Sequence, residues 1–155
     1  MARRWLTIAS PTTEAMVNPL LAACERGYVP DSIRILSNPT VHDDVESVVP
    51  FMESITAEYD GGASVDAHLI AEETAFPEIV AFLRDGIEQA DTDEEVAVDI
   101  TPGRKFMSAI AFQAGIRYGA DHVFYLLLDS SEFYGQVYPD IPRSAIDLID
   151  FTEVV

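Results

Sequence analysis

Short apolar runs alternate along this chain with longer segments in which apolar residues recur at helical spacing. Runs rich in β-branched and aromatic residues are typical of strands, and recurrence every three to four residues is typical of amphipathic helices. Strands are predicted at residues 5–10, 32–38, 65–71, 95–101 and 122–130. Helices are predicted to end near Arg26, to span 43–59 and 74–90, and to lie within 102–119.

This alternation predicts an α/β, Rossmann-like domain with three layers: a mainly parallel central sheet of about six strands and helices on both faces. The fourth and fifth runs, EVAVDIT and HVFYLLLDS, are nearly continuous in apolar residues, which is typical of the centre of a covered sheet. After a loop at 131–142, AIDLIDFTEVV is predicted to form an edge strand or a strand pair. No repeat or linker divides the chain, so residues 1–155 are predicted to form one domain.

The first helix has an ambiguous start, because residues 11–16 show no clear pattern. Pro19 fits the first turn of a helix with Asn18 as its cap. We therefore expect this helix to begin later than its apolar pattern suggests and to stop at Gly27.

The charge of the chain narrows its possible partners. With 27 Asp plus Glu against 9 Lys plus Arg, the formal net charge is −18, which repels duplex DNA, RNA and anionic membranes. Any anionic ligand must therefore be small and bound locally. Eight basic residues are Arg and only Lys105 is Lys. Acid excess with so little lysine is typical of proteins from salt-loving organisms, in which high salt screens the repulsion between acidic side chains.

The single cysteine and the first residues exclude several classes of protein. Cys24 is the only cysteine, so an intramolecular disulfide and a Cys-based zinc site are excluded. Its setting, LLAACE, indicates a small buried hydrophobe. The segment MARRWLTIAS is too short in apolar residues for a secretory signal or a membrane span. A cytoplasmic protein is therefore expected.

Candidate metal ligands are scattered. His42, His68 and His122 lie in different predicted elements without the spacing of metal ligands. The acidic run DTDEE at 91–95 is predicted to be a solvated loop, because nothing in it sets a ligand geometry. No metal or cofactor is therefore expected.

Doubly wound sheets bind ligands outside the carboxyl ends of their strands, and five predicted loops lie there, at 10–13, 37–40, 71–74, 101–105 and 129–135. The segment VDITPGRKFMS brings Thr101, Gly103, Arg104 and Lys105 to a helix start. Helix amides, the helix dipole and two adjacent cations favour a phosphate or ribose-phosphate. An equally good alternative is that Arg104 and Lys105 bind no ligand and only stabilise the acidic residues around them.

The loop after the first strand, SPTT, offers the hydroxyls of Ser10, Thr12 and Thr13. Such hydroxyls bond phosphate oxygens or a ribose 2′-OH, and they also cap helices. The glycine-rich dinucleotide fingerprint, the P-loop and the nucleophile elbow are missing, which disfavours NAD binding, ordinary ATPase chemistry and serine hydrolysis.

Two further groups of side chains lie near the same end of the sheet. Asp99 and Asp129 lie on or just after the fourth and fifth predicted strands, without a partner pattern that would make them an acid/base pair. Phe133, Tyr134 and Tyr138 follow the fifth strand. These rings are suited to stacking on a base or reaching a phosphate, and equally to packing over the sheet edge.

The segment VDITPGRKFMS, followed by a helix of small residues and an apolar strand, resembles the D-[IL]-T-G-G-x-K-x-M-[SA] signature of CARF domains, the Rossmann-like sensors of type III CRISPR systems. The hydroxyl-bearing turn at Ser10 and the order of elements also fit, so the resemblance covers essentially the whole chain. It implies a cyclic oligoadenylate, most often the four-adenylate ring, bound across the two-fold axis of a homodimer. The ligand contacts it implies are Ser10, Thr12, Thr13, Thr101, Pro102, Gly103, Arg104 and Lys105.

Small stand-alone members of this family can be ring nucleases that need no metal. The resemblance implies that Lys105 stabilises the charge developing on the phosphate, Ser10 orients the phosphate or the 2′-OH, and Tyr134 assists. Pro102 stands where the family has the first Gly of its pair, which removes one amide donor and stiffens the turn. The turn after the first strand also lacks the glycine common there.

Three functions remain open at this point. The first is a ring nuclease that cleaves cyclic tetra-adenylate and switches off type III CRISPR antiviral signalling; the expectation that no nuclease or helix-turn-helix domain accompanies the sheet favours it. The second is a non-catalytic sensor or sponge that acts with a partner in trans. The third is an unrelated α/β protein whose TPGRK loop only caps a helix.

Overall fold

A computed structural model describes all 155 residues and places a six-stranded sheet between two layers of helices. The strands are β1 (Arg3–Ile8), β2 (Ser32–Ser37), β3 (Ser64–Leu69), β4 (Glu95–Asp99), β5 (His122–Leu128) and β6 (Ile146–Asp150). The helices are α1 (Thr13–Glu25), α2 (His42–Glu58), α3 (Phe76–Glu88) and α4 (Lys105–Arg117). Short 3-10 turns occupy Ser131–Phe133, Tyr138–Asp140, Arg143–Ala145 and Phe151–Glu153. The predicted Rossmann-like α/β class is confirmed.

The strand order is β3-β2-β1-β4-β5-β6. The first five strands in the chain pair in parallel, and β6 runs antiparallel to β5. The prediction of a mainly parallel sheet with a C-terminal edge strand is confirmed. The centre is formed by β1 and β4, whereas β5 lies next to the edge. Its apolar run reflects cover from helices and from β6 rather than a central position.

Alternation along β1 divides the core into two halves. Trp5 faces α1 and α2, where its ring stacks on Phe124 at a centroid distance of 5.9 Å. The neighbouring Leu6 and Ile8 face α3 and α4. All three are essentially buried, and burial of each such side chain contributes about 2 kcal/mol. The alternation of side chains along β1 therefore determines which pair of helices packs on each face of the sheet.

The start of α1 differs from the prediction. The helix begins at Thr13, and Pro19 lies inside it instead of in its first turn. Asn18 is buried and does not cap the helix: its amide donates to the carbonyl of Gln136 at 2.8 Å and accepts from the amide of Tyr138 at 2.8 Å. A polar residue that looks like a cap in the sequence instead ties the loop after β5 to α1.

The two edges of the sheet are built differently. At the β6 edge, Arg26 donates to the carbonyl of Leu148 at 2.6 Å and pairs with Asp147 at 3.2 Å. At the β3 edge, five of the six strand residues are exposed. None of the helices has the length and apolar character needed to span a membrane.

The amino ends of the strands carry a polar cluster centred on His122. Its Nδ1 lies 2.8 Å from Asp150 Oδ2, and its Nε2 lies 3.1 Å from Glu95 Oε2. Burial opposes protonation, but the hydrogen bonds with Asp150 and Glu95 outweigh it and raise the pKa of His122. Glu95 also pairs with Arg3 at 3.7 Å. This cluster joins β4, β5 and β6 at the end of the sheet opposite the predicted site.

Glu95 also ends the acidic run predicted to be a solvated loop. The first three residues, 91–93, are exposed, as that prediction requires. Glu94 differs, since it pairs with Arg4 at 3.1 Å, and Glu95 belongs to the His122 cluster. The last two carboxylates of the run therefore fasten the start of β4.

Candidate functional site

The order of the strands reverses between β1 and β4, so the loops that follow these two strands meet at the topological switch point of the sheet. Ligands of open α/β sheets bind in such a crevice. Gly103 lies against the end of β1, because a Cβ built on it would be 2.8 Å from Ile8 Cγ2. Its φ of +93° is one that residues with a side chain rarely adopt. The structure thus brings the two predicted loops together.

The start of α4 presents unpaired amides to this crevice. The N–H groups of Gly103, Arg104, Lys105 and Phe106 have no hydrogen-bond acceptor, whereas those of Met107 and Ser108 both donate to the carbonyl of Arg104. The first turn of α4 contains no acidic residue and no side-chain cap. Free amides at the positive end of a helix form an environment suited to an anion.

The two adjacent cations of this loop have different surroundings. Arg104 Nη1 lies 3.1 Å from Glu73 Oε1, and its guanidinium lies 5.7 Å from the ring centroid of Phe106. Lys105 is exposed and has no carboxylate within ion-pair distance. The alternative that both cations stabilise their acidic neighbourhood therefore fits Arg104 alone. The Lys105 ammonium therefore has no ion-pair partner at the start of α4.

The loop after β1 places its hydroxyls at the same end of the sheet. Ser10 is nearly buried, and its Oγ accepts a hydrogen bond from the Thr12 amide at 3.1 Å, so its own O–H stays free to donate. Thr12 occupies the N-cap position of α1 without a side-chain capping bond, and Thr13 begins the helix. Both threonines are exposed. Helix capping, the alternative use of these hydroxyls, is not observed for Thr12.

A buried carboxyl group supports the floor of the site. Asp99 Oδ2 accepts from Thr7 Oγ1 at 3.0 Å, and Oδ1 accepts from the Thr101 amide at 3.0 Å. Thr101 Oγ1 accepts in turn from the Leu126 amide at 3.0 Å. Burial raises the pKa of Asp99 to about 7. Asp129 is exposed beyond the end of β5, so the two carboxyl groups differ sharply in environment.

Two cavities flank the switch point. One, of 360 Å³, lies among the loops after β1, β2 and β4; the other, of 330 Å³, lies between α1, the end of β5 and the loop that follows it. Ser10, Gly103 and Arg104 line the first, and Thr12, Thr101 and Tyr134 line the second. The remaining predicted contacts, Thr13, Pro102 and Lys105, line neither cavity.

The three aromatic residues after β5 do not form one cluster. Tyr134 is 68% exposed at the rim of the second cavity, which Phe133 also lines. Tyr138 is buried: its hydroxyl donates to Glu25, and the Arg143 guanidinium lies 3.9 Å from its ring centroid. Packing, one of the two expectations for these rings, describes Tyr138. Tyr134 is free to contact a ligand.

Several cavity residues were not singled out from the sequence. Asn38, Thr40 and Glu73 line the first cavity, and Glu14 and Gln136 line the second. The only available signal was position, since Asn38, Thr40 and Glu73 lie in loops at the carboxyl ends of predicted strands. No group of three or more His, Cys, Asp or Glu side chains is arranged to hold a metal ion.

Known structures share this fold. The chain superposes with a TM-score of 0.65 on a type III CRISPR defence DNA nuclease activated by cyclic oligoadenylate, with 18% sequence identity over 83% of this chain and 19% of that one. The match therefore concerns a fifth of that nuclease and demonstrates a common fold. No protein-family model and no curated protein sequence matches the chain.

Proposed function

We propose that this chain binds a cyclic oligoadenylate, cyclic tetra-adenylate in particular, at the switch point of its sheet and across the two-fold axis of a homodimer. The observation that supports this most is the group of four unpaired amides at 103–106, with the free Lys105 among them, beside the loop after β1. The fold shared with a cyclic-oligoadenylate-activated nuclease agrees with it. A two-fold ring on a two-fold dimer matches in symmetry.

The charge of the protein restricts what can bind there. With a formal net charge of −18, the protein repels long polyanions. Beside the proposed site, the Glu73 carboxylate already pairs with Arg104. A small ring of phosphates needs only local compensation. The unpaired amides and the Lys105 ammonium supply it within a single turn of helix.

The proposed reaction is metal-independent cleavage of the ring. A ribose 2′-oxygen attacks the adjacent phosphorus and loses its proton, while the bond from phosphorus to the 5′-oxygen breaks and that oxygen takes up a proton. The products are a 2′,3′-cyclic phosphate and a free 5′-hydroxyl. In-line positioning and stabilisation of the developing charge are the main requirements.

Three side chains have proposed roles in that step. Lys105 stabilises the negative charge that grows on the phosphate. Ser10, whose O–H is free to donate, orients the phosphate or the 2′-OH. Tyr134 assists from the rim of the second cavity, where its ring is exposed. Because Ser10 and Tyr134 line different cavities, a ring that contacts both side chains would have to reach both cavities.

A second function, a non-catalytic sensor or sponge that acts with a partner in trans, is favoured by Pro102. Its buried ring removes one amide donor from the turn, and Arg104 is already paired with Glu73. With one amide missing and Arg104 already paired, the site keeps enough donors to bind a ring. It has fewer donors left to stabilise a transition state.

One assay separates these functions. The purified protein is incubated with radiolabelled cyclic tetra-adenylate in concentrated KCl with EDTA, and bound and free nucleotides are resolved. Linear products ending in a 2′,3′-cyclic phosphate support the nuclease. A ring that is retained intact supports the sensor. A ring that is neither retained nor cut contradicts both, and leaves the TPGRK loop as a helix start without this ligand.

A further inference from the structure

The outer side of β3 is an edge that no other part of the chain covers. β3 pairs with β2 in an uninterrupted register and packs on α2. A proline, a lysine or a bulge commonly protects an edge strand from pairing with another chain. The strand SVDAHL has none of these three features. The β6 edge, by contrast, is capped by Arg26 on the Leu148 carbonyl.

We propose that the β3 edges of two copies pair antiparallel about a two-fold axis at Ala67 and join their sheets into one. Ser64 donates its amide to Asp31 at 3.1 Å, and Ile70 donates its amide to Ser37 at 2.9 Å, so even-numbered residues face β2. In a strand the intervening residues then direct their N–H and C=O groups outward. Val65, Ala67 and Leu69 therefore present the free backbone groups.

These free groups match an antiparallel copy of themselves. With Ala67 opposite Ala67 of the second copy, Val65 lies opposite Leu69, and each of the three resulting pairs exchanges two hydrogen bonds. An axis at Asp66 would place two carboxylates opposite one another, which is unfavourable. An axis at His68 would leave Val65 without a partner in the strand. The Ala67 register uses the edge most completely.

The side chains of β3 complement one another in this register. Asp66 lies opposite His68 of the second copy in a non-hydrogen-bonded pair, where facing side chains are closest. The imidazole can donate to the carboxylate, and symmetry provides this contact twice. Asp66 has no ion-pair partner within the chain, and His68 is exposed while it stacks on Phe82 at 5.7 Å. On the other face, Val65 meets Leu69, which is 53% exposed.

This interface is separate from the proposed ligand site. The ligand site lies at the carboxyl ends of the strands, and the β3 edge lies along the side of the sheet. Two different two-fold contacts on one chain build a closed tetramer or an open chain of copies. Because each copy carries −18, pairing should strengthen with salt, which screens the repulsion.

The first experiment measures mass by sedimentation of the purified chain in concentrated KCl. Ala67→Pro removes an outward-facing donor and leaves the hydrogen bonds to β2 intact. We expect it to raise the dissociation constant of this pairing by at least about tenfold and to lower the assembled mass, by half for a closed tetramer and by more for an open chain. Ala67→Val, which keeps the donor, is the matched control and should assemble like the native chain. Equal masses for the native chain and Ala67→Pro would overturn the proposal.

The second experiment exchanges the facing side chains. Asp66→Lys places an ammonium opposite His68, and His68→Glu places a carboxylate opposite Asp66, so each single variant should dissociate more readily. The double variant restores an opposite-charge pair and should recover the assembled mass, which a merely structural role of either residue would not produce. A double variant no better than the two single variants would overturn the proposal.

Failure of this interface is distinguishable from failure of the proposed function. Ala67→Pro changes nothing at the ligand site, so it should bind cyclic tetra-adenylate as the native chain does. A native chain that binds no ring, but whose assembled mass is lowered by Ala67→Pro, supports the interface and contradicts the proposed function. A native chain that binds the ring and has the same assembled mass as Ala67→Pro supports the proposed function and contradicts the interface.

Discussion

The His122 cluster at the amino end of the sheet and the segment 103–106 at the carboxyl end differ in whether their polar groups have partners. At the amino end, His122 is held between Asp150 and Glu95, and Glu95 also pairs with Arg3. At the carboxyl end, the amides at 103–106 have no acceptors and Lys105 has no carboxylate. Polar groups that pair with one another stabilise the fold, whereas free amides at a helix start are suited to an anion. We therefore expect substitutions in the His122 cluster to change stability and substitutions at 103–106 to change ligand binding.

The largest expected effect comes from removing the free cation. Lys105→Ala should lower ring cleavage by at least about 100-fold, because the charge that develops on the phosphate loses its cation. Its melting temperature should stay that of the native chain, since the side chain is exposed and unpaired. Cleavage assays and thermal melts on the same preparation test both statements.

Arg104→Ala is the matched control for this prediction. Its guanidinium is already paired with Glu73 at 3.1 Å, so a smaller loss of cleavage is expected. Unchanged turnover in Lys105→Ala would remove that lysine from the proposed mechanism.

The complementary change is at the amino end. His122→Ala should lower the free energy of unfolding by about 2 kcal/mol, because it leaves two carboxylates without their shared donor and removes the ring that stacks on Phe124 at 5.1 Å. Ring cleavage by the folded variant should be unchanged. Urea unfolding measures the first effect and the cleavage assay the second.

His42→Ala serves as the control for His122→Ala. His42 pairs only with Glu46, one helical turn away on α2, and both side chains are substantially exposed. Such pairs contribute little. A loss of stability in His42→Ala as large as that in His122→Ala would show that the amino-end cluster has no special role.

The loop that carries the free amides is open to a more local test. Gly103→Ala combines a left-handed backbone with a Cβ only 2.8 Å from Ile8, and it should destabilise the chain by about 2 kcal/mol and weaken ring binding. Gly119→Ala has a similar φ of +80° with nothing near its Cβ, so it should cost about 1 kcal/mol.

The difference between these two glycine variants isolates the close approach of the loop to β1. Equal stabilities and equal ring affinities for Gly103→Ala and Gly119→Ala would mean that this approach is unimportant. Unfolding in urea and ring titrations supply the two readouts.

The smallest expected effect is a pH dependence of the amino-end cluster. His122 has a raised pKa, so its stabilisation is present below the ordinary value of 6.5 and is lost as pH rises through the raised one. For Asp150, burial raises the pKa but the hydrogen bonds from His122 and the Val123 amide outweigh it. The pKa is therefore lowered, and that stabilisation is lost only as pH falls through the lowered value, below 3.8.

The native chain and His122→Gln should therefore differ most between about pH 4 and 6.5, by less than about 1 kcal/mol because the cluster is partly exposed. Comparing the two chains cancels the contribution of Asp99. Asp99, whose pKa is raised to about 7, destabilises both chains equally as pH rises from about 4 to 7. A stability difference that does not vary with pH would contradict the role given to His122.

Local pattern was sufficient to predict the elements and the class of fold. Strand and helix periods are short-range properties, and the loops after β1 and β4 could be selected because parallel strands end at one side of a sheet. That β1 and β4 are neighbours was not predictable in this way. Strand order depends on contacts between residues about 90 positions apart, such as Thr7 with Asp99.

Two polar side chains could not be assigned a partner from the sequence, for the same physical reason. Asn is a residue type that often caps helices. The side-chain amide of Asn18 is instead hydrogen-bonded to the backbone of Gln136 and Tyr138, more than 100 residues further along the chain. Arg104 looks as free as Lys105 until the loop after β3 brings Glu73 beside it. A polar side chain in a sequence shows its hydrogen-bonding capacity, and only the fold decides which partner uses it.

The exposed Lys105 also provides a chemical handle. Because it is the only lysine, an amine-reactive dye can attach only there and at the chain's amino terminus, and a lysine-specific protease has one cleavage point, directly after it. Mass spectrometry can therefore follow the reactivity of a single ammonium without any engineered label. The rate of modification at Lys105 would report occupancy of the carboxyl end of the sheet in the native protein.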